Sequence, residues 1–113
     1  MLPLVIAVIP TNKYHNRRTE VDNITFASKR EADRYLELKL LVHAGQIVDL
    51  ELQPRFPLVV NDQKIGTYVA DFRYYESGSG VLIVEDVKGV KTEVYRLKAK
   101  LMKALYSIEI KEV

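Results

Sequence analysis

The first regular pattern of hydrophobic and polar residues along the chain lies between residues 28 and 43 and has the spacing of an α-helix. Ser28 followed by Glu31 forms the pattern of a capping box, which predicts the start of a helix at Ser28. Ala44 and Gly45 predict its end near His43. Such a helix places four side chains on one stripe: Glu31, Tyr35, Leu38 and Val42.

The pattern then changes to the two-residue alternation of β-strands. Four strands are predicted: Ile47–Gln53, Phe56–Val60, Thr67–Tyr75 and Val81–Lys88. In the first, we expect three side chains to share the inward face: Val48, Leu50 and Leu52. In the third, one face holds Tyr68, Ala70, Phe72 and Tyr74. The fourth strand opens with four consecutive apolar residues, which indicates a central strand covered on both faces. Residues 77–80 predict the hairpin loop before it.

A second helix is predicted from a cap at Thr92 to about Tyr106. Its expected core stripe consists of Val94, Leu97, Leu101 and Leu105. Three basic side chains fall on the opposite side: Arg96, Lys100 and Lys103. A last strand follows at Ile108–Val113. The element order, α-β-β-β-α-β with three or four strands in the middle, predicts an α/β fold in which helices flank a mixed β-sheet.

Composition narrows the class of protein. The 113 residues suit one domain, expected over 25–113, after an N-terminal lead and basic arm at 1–24. The apolar run Met1–Pro10 is too short to span a bilayer and lacks the features of a signal peptide, so we expect a peripheral strand or a poorly ordered lead. Because there is no cysteine, disulfides and thiolate sites are excluded, and a cytoplasmic location is expected. The net charge of +2 is too small to indicate nucleic acid by itself.

The segment from Val84 to Gly89 carries the most informative polar residues. Asp86 and Lys88 are two apart in a strand, so they share a face at the end of the buried run. Asp71, on the preceding strand, can lie opposite Asp86, where two carboxylates would repel each other. A divalent cation removes that repulsion, and carboxylate oxygens suit Mg²⁺ or Mn²⁺. A surface charge pair is the alternative for Asp86 and Lys88.

Three further polar residues need interpretation. Glu31 is a candidate third metal ligand, or only the capping-box partner of Ser28. Gln53 could orient a ligand or water, or simply end its strand. Glu85 lies on the other face of its strand, with a partner expected among the basic groups of the second helix. A β-bulge there would exchange the roles of Glu85 and Asp86.

This order of elements and acids resembles the restriction-endonuclease-like superfamily, known by its PD-(D/E)xK pattern. Asp71 matches the first acid of the pattern, although Ala70 replaces the proline, and Asp86 with Lys88 match the rest. Glu31 matches the first-helix glutamate of many members, including archaeal Holliday-junction resolvases. A closer likeness, to small phage and prophage proteins of unknown function, rests on these segments: 12–14, 26–32, 52–56, 70–74 and 84–89.

The resemblance implies a Mg²⁺-dependent endonuclease that acts on phage DNA in the host cytoplasm. Its catalytic set would be Glu31, Gln53, Asp71, Asp86 and Lys88, with Glu31, Asp71 and Asp86 on the metal. Branched DNA such as a Holliday junction is the favoured substrate, and a homodimer would supply two sites. Candidate phosphate contacts are Lys13, Arg17, Arg18, Arg96, Lys98, Lys100 and Lys103. The alternatives are a DNA-binding or assembly protein that has lost cleavage, and a structural phage protein.

Overall fold

The computed structural model describes residues 18–113. The chain divides into two compact units, one up to Leu40 and the other from Leu41 onwards. Its elements are β1 Thr19–Val21, β2 Ile24–Phe26, α1 Lys29–His43, β3 Ile47–Leu52, β4 Arg55–Val60, β5 Gln63–Val69, β6 Phe72–Glu76, β7 Leu82–Asp86, α2 Glu93–Tyr106 and β8 Lys111–Glu112. The predicted lead Met1–Pro10 and two predicted phosphate contacts, Lys13 and Arg17, lie outside the described residues. In the described part, no helix is long and apolar enough to cross a membrane.

The described part of the first unit contains a β-hairpin where the sequence pattern predicted an arm or loop. β1 and β2 pair antiparallel through a turn in which Asp22 and Asn23 both have positive φ, 54° and 62°. Such a turn matches the twist of a hairpin, and Asp and Asn tolerate this backbone conformation. The predicted domain boundary at residue 24 falls inside this hairpin.

Helix α1 confirms the predicted capping at Ser28. The Ser28 hydroxyl accepts a hydrogen bond from the Glu31 backbone N–H at 3.2 Å. Tyr35 and Leu38 are buried, as the stripe predicted. The Tyr35 hydroxyl donates to the Asp22 carboxylate at 2.9 Å, and the Tyr35 ring packs against Phe26. The helix therefore holds the hairpin through one hydrogen bond and one aromatic contact.

The second unit is built on a four-stranded mixed sheet with strand order β3-β6-β7-β8. The first three strands pair antiparallel, and β8 pairs parallel with β7. β7 is therefore an interior strand, as the apolar run predicted, and its last three residues are buried: Val84, Glu85 and Asp86. The predicted α/β class with a mixed sheet is confirmed.

The predicted third strand, Thr67–Tyr75, is divided into β5 and β6. Residues 70 and 71 bend the chain out of the four-stranded sheet, and β4 and β5 form a separate two-stranded hairpin. The register of the β3–β6 pairing nevertheless continues unchanged into the β4–β5 pairing. Two backbone hydrogen bonds connect the two pairings: the Gln53 N–H donates to the Asp71 carbonyl, and the Ala70 N–H donates to the Pro54 carbonyl. The bend therefore lies at Gln53 and Asp71, two of the predicted site residues.

The inward face predicted for β3 is wrong in its first half. Ile47 is buried, at 4% exposure, whereas Val48 is 44% exposed. A bulge shifts the register between Val48 and Glu51, and Asp49 inside it has a φ of 58°. One extra residue reverses which face each side chain takes, so Val48 does not share a face with Leu50 and Leu52.

Helix α2 confirms its predicted core stripe only in part, because Leu101 packs against the core whereas the other three residues are exposed. Tyr95 and Met102, seven residues apart, are buried, while Val94 and Leu97 are 63% and 57% exposed. The second core comprises Phe56, Leu58, Tyr68, Ala70, Val84, Tyr95 and Met102. The rotation follows from Tyr95, whose ring packs near Tyr68 and whose hydroxyl has a hydrogen-bond partner in β8. A buried tyrosine whose hydroxyl has a hydrogen-bond partner favours this orientation of the helix.

Candidate metal site

Asp71 and Asp86 lie together at the junction of β6 and β7. The Asp71 N–H donates to the carbonyl of Glu85, the last β7 residue paired with β6, and the Asp71 and Asp86 carboxyl groups are hydrogen-bonded to each other. The Asp71 carboxylate accepts a hydrogen bond from the Val87 N–H at 2.7 Å. Both acids are therefore positioned by the backbone of two adjacent strands, as predicted from the sequence.

Asp86 is a buried carboxyl group, with 2% of its surface exposed. Burial, together with the charge of Asp71, raises the pKa of Asp86 to about 7. The Tyr68 hydroxyl donates a hydrogen bond to Asp86, which lowers this pKa, while the hydrogen bond between the two carboxyl groups raises it. Tyr68 is itself buried, and its own pKa is raised by that burial and by Asp86. The two carboxyl groups therefore share a proton below about pH 7, and they repel each other once both are ionised.

Lys88 completes the predicted trio on the same face as Asp86. Its ammonium nitrogen lies 3.5 Å from the Asp86 carboxylate and 4.1 Å from the centroid of the Tyr95 ring. Lys88 is thus held between a carboxylate and an aromatic face, both of which attract a cation. Its side chain is 23% exposed, so the ammonium group is partly accessible to solvent.

A second set of residues beside Lys88 was not found by sequence reasoning. Glu112 aligns with Asp86 in the parallel pairing of β7 and β8. It accepts from the Tyr95 hydroxyl at 2.8 Å and pairs with Lys91 at 2.7 Å. These hydrogen bonds lower the pKa of Glu112, while burial and Glu112 raise that of Tyr95. The only sequence signal was the alternation of the predicted last strand, which indicated a face but no partner.

Glu85 lies on the opposite face of β7, as predicted. It is completely buried, accepts a hydrogen bond from the Tyr74 hydroxyl, and pairs with Lys111 of β8 at 3.9 Å. Its basic partner thus comes from the last strand, where the sequence pattern led us to expect one from the second helix. The β6–β7 register runs through Glu85 without a bulge, so Glu85 and Asp86 keep separate roles.

Gln53 is placed at the bend and takes a strained backbone conformation. Its φ is 51°, in the left-handed region that favours glycine. Its N–H donates to the Asp71 carbonyl at 3.0 Å, so the backbone of Gln53 supports one of the two acids. Strained residues next to functional side chains are common at active sites. The predicted role of its side-chain amide is still a prediction.

A pair of variants separates the strain at Gln53 from its amide. We expect Gln53→Gly to be more stable than Gln53→Ala by about 1 kcal/mol, because a Cβ makes the left-handed conformation costly. Denaturant unfolding of the two variants measures this difference, and equal stabilities would argue against the bend. Reduced DNA cleavage in both variants would support the amide, whereas wild-type cleavage by the glycine variant assigns Gln53 to the bend alone.

Glu31 lies on α1, in the first of the two units. It is half-buried on α1, and its N–H completes one half of the capping box with Ser28. Its predicted place on the metal is still a prediction. Because glutamine also serves in a capping box, the variant Glu31→Gln removes the charge and keeps the cap.

We expect Glu31→Gln to change the free energy of unfolding by less than about 0.5 kcal/mol and to reduce Mg²⁺-dependent cleavage at least about 10-fold. Thermal unfolding and a cleavage assay measure the two effects. Glu37→Gln is the matched control, since Glu37 lies on the same helix and pairs with Arg34 at 2.9 Å. Full activity in Glu31→Gln would leave Glu31 as a helix cap only.

The described basic candidates divide into two groups. Arg18 and three residues of α2 are exposed: Arg96, Lys100 and Lys103. Lys98 is half-buried, and its ammonium group donates to the Thr67 carbonyl at 2.9 Å. Lys98 therefore connects α2 to β5, and the exposed residues are better placed to contact phosphate.

The carboxylate oxygens of Asp71 and Asp86 are donor atoms that suit Mg²⁺. Mg²⁺ is often held by one or two carboxylates, with substrate phosphate and water as its other ligands. Two adjacent carboxyl groups, of which Asp86 has a raised pKa, are an arrangement that a cation would stabilise. Among residues 18–113, no cluster of three or more acidic or histidine side chains adds to the pair.

Comparison with known proteins assigns the chain to a family whose function is unknown. A family model described as a protein of unknown function, DUF1064, matches residues 11–112. The chain therefore belongs to this family, which confirms the predicted membership of a family of unknown function. No curated protein and no solved structure matches the chain. None of these comparisons relates the chain to the restriction-endonuclease-like superfamily.

Proposed function

We propose that this protein is a Mg²⁺- or Mn²⁺-dependent DNA endonuclease of the PD-(D/E)xK type. The observation that carries the proposal is the pair of carboxylates from Asp71 and Asp86 with the Lys88 ammonium group 3.5 Å from Asp86. Asp86 and Lys88 lie at the end of the interior strand β7, and Asp71 directly precedes the neighbouring strand β6. Burying the Asp86 carboxyl group beside a second acid costs free energy, which a bound cation would offset.

A divalent cation bound by this pair would polarise a phosphodiester and lower the pKa of a water molecule. The residues of the chain supply the rest. Asp71 and Asp86 provide the negative charge that holds the cation, and the Val87 N–H and the Tyr68 hydroxyl orient them. The Lys88 ammonium group is placed to stabilise negative charge that develops on the phosphate.

Branched DNA is the substrate class that we propose, with a Holliday junction as the favoured case. Lysine and arginine contacts to phosphate carry no base-sequence information, which suits a substrate recognised by its shape. The exposed residues Arg96, Lys100 and Lys103 supply such contacts on α2.

A homodimer is proposed as the active form, because paired incisions in a junction need two sites. The exposed apolar side chains of α2, such as Val94 and Leu97, offer a surface for a second copy. Sedimentation of the purified protein measures the oligomeric state, and a monomer in the presence of junction DNA would exclude the dimer.

A panel of DNA substrates tests the proposed function. A four-way junction, a flap, a nicked duplex and a single strand are each incubated with Mg²⁺ and with excess chelator. We expect cleavage of the junction with Mg²⁺ only, and binding that weakens steeply with added salt. Binding without cleavage on every substrate would favour the inactive DNA-binding alternative, and cleavage in chelator would contradict the metal-dependent mechanism.

A further inference from the structure

Tyr95 occupies an unusual position beside the proposed site. It is buried on α2, yet its ring faces the Lys88 ammonium nitrogen at 4.1 Å from the centroid, and its hydroxyl donates to Glu112 at 2.8 Å. A cation over a tyrosine ring is attracted by the negative face of the ring, more strongly when water is excluded. One residue thus links a charged group of the site to the last strand.

We propose that Tyr95 is a positioning residue that holds the Lys88 ammonium group next to Asp86, and that Glu112 orients Tyr95 for this task. The inference concerns the same site as the proposed function and rests on it for its catalytic consequence. A lysine side chain has four rotatable bonds, so a partly exposed ammonium group needs contacts on more than one side to stay in place. Asp86 provides one contact, and the Tyr95 ring provides another.

The last strand fixes the same region through its backbone. The Val113 N–H donates to the Asp86 carbonyl at 3.0 Å, and the Lys88 N–H donates to the Val113 carbonyl at 3.3 Å. Glu112 directly precedes Val113, and its carboxylate is held by Lys91 as well as by Tyr95. Residues 111–113 therefore hold both the backbone of Lys88 and, through Tyr95, its side chain.

The first test observes Lys88 directly and does not depend on activity. A proton above an aromatic ring resonates upfield, so the ε-methylene protons of Lys88 are expected upfield of those of exposed lysines in the NMR spectrum. We expect this shift to persist in Tyr95→Phe, which keeps the ring, and to disappear in Tyr95→Leu. Tyr106→Leu is the matched control on the same helix and should leave Lys88 unchanged. An unchanged Lys88 shift in folded Tyr95→Leu would overturn the inference.

A reciprocal measurement covers the case in which Tyr95→Leu does not fold. Lys88→Met removes the charge from a partly exposed side chain and is expected to change the resonances of the Tyr95 ring. The ring of Tyr106 serves as the internal control. Tyr95 resonances that stay unchanged in Lys88→Met would contradict the contact.

The second test measures catalysis. We expect Tyr95→Leu to lower kcat for junction cleavage about 10-fold with KM unchanged, because Tyr95 acts through Lys88 and not on DNA. In a Lys88→Met background the same change should have no further effect, since the two residues act as one unit. Additive losses would overturn the positioning role. If the wild-type protein does not cut DNA, the proposed function fails, and the NMR result still decides whether Tyr95 holds Lys88.

Discussion

The Asp86→Asn variant is expected to cut branched DNA about 1000-fold more slowly than the wild-type protein, a loss of roughly 4 kcal/mol in transition-state stabilisation. Asparagine keeps the size of aspartate and can still accept the hydrogen bond from Tyr68, so the fold of the site is preserved. It cannot supply the negative charge that holds a divalent cation. Cleavage rates at saturating DNA, with Mg²⁺, measure the effect.

DNA binding by Asp86→Asn is expected to stay close to that of the wild-type protein, because the proposed phosphate contacts lie on other residues. Asp62→Asn is the matched control. Asp62 is an exposed turn residue at the tip of the β4–β5 hairpin, where asparagine also tolerates the positive φ of 66°. Wild-type cleavage by Asp86→Asn would remove Asp86 from the catalytic set, and lost binding would assign it to DNA recognition instead.

The stability of the wild-type protein relative to Asp86→Asn is expected to fall as the pH rises from about 4 to about 7. Asp86 has a pKa of about 7 in the folded protein, above its ordinary value of 3.8. Within this window the unfolded chain is ionised at Asp86 and the folded protein is not, so unfolding releases a proton and higher pH favours it. The difference between the two proteins should change by an amount on the order of 4 kcal/mol. Denaturant unfolding at several pH values measures it.

Mg²⁺ should reverse this loss above pH 7. A cation that binds only the folded protein stabilises it by mass action and removes the repulsion between Asp71 and Asp86. We expect Mg²⁺ to raise the melting temperature of the wild-type protein more than that of Asp86→Asn. Equal effects of Mg²⁺ on both proteins, or parallel pH profiles, would show that Asp86 is neither the titrating group nor a ligand.

Local signals predicted the parts of the fold that depend on neighbours in the chain. The capping box at Ser28 fixed the start of α1, and the apolar run before Glu85 identified the interior strand. The two-residue spacing of Asp86 and Lys88 placed both on one face, which the distance of 3.5 Å between them confirms. These features follow from backbone geometry and need no knowledge of the tertiary structure.

Other features depend on contacts between distant segments, and the sequence did not predict them. The aliphatic spacing of α2 placed Val94 and Leu97 on the core face, yet both are exposed, and Tyr95 is buried there with its ring near Tyr68 and its hydroxyl on Glu112. The bulge at Asp49 reversed half of β3 without a glycine to mark it. Tyr68 was predicted as a face residue, and only the structure shows that its hydroxyl bonds Asp86.

The central claim, that Asp71 and Asp86 bind a divalent cation, can be tested most directly with Mn²⁺, a paramagnetic substitute for Mg²⁺. Small additions of Mn²⁺ broaden the NMR signals of nearby backbone amides. We expect the amide signals of Phe72 and Val87 to broaden first and those of the hairpin tip at Asp62 to stay sharp. In the Asp86→Asn variant we expect no such broadening. Broadening that is centred elsewhere, or that persists unchanged in Asp86→Asn, would contradict the account.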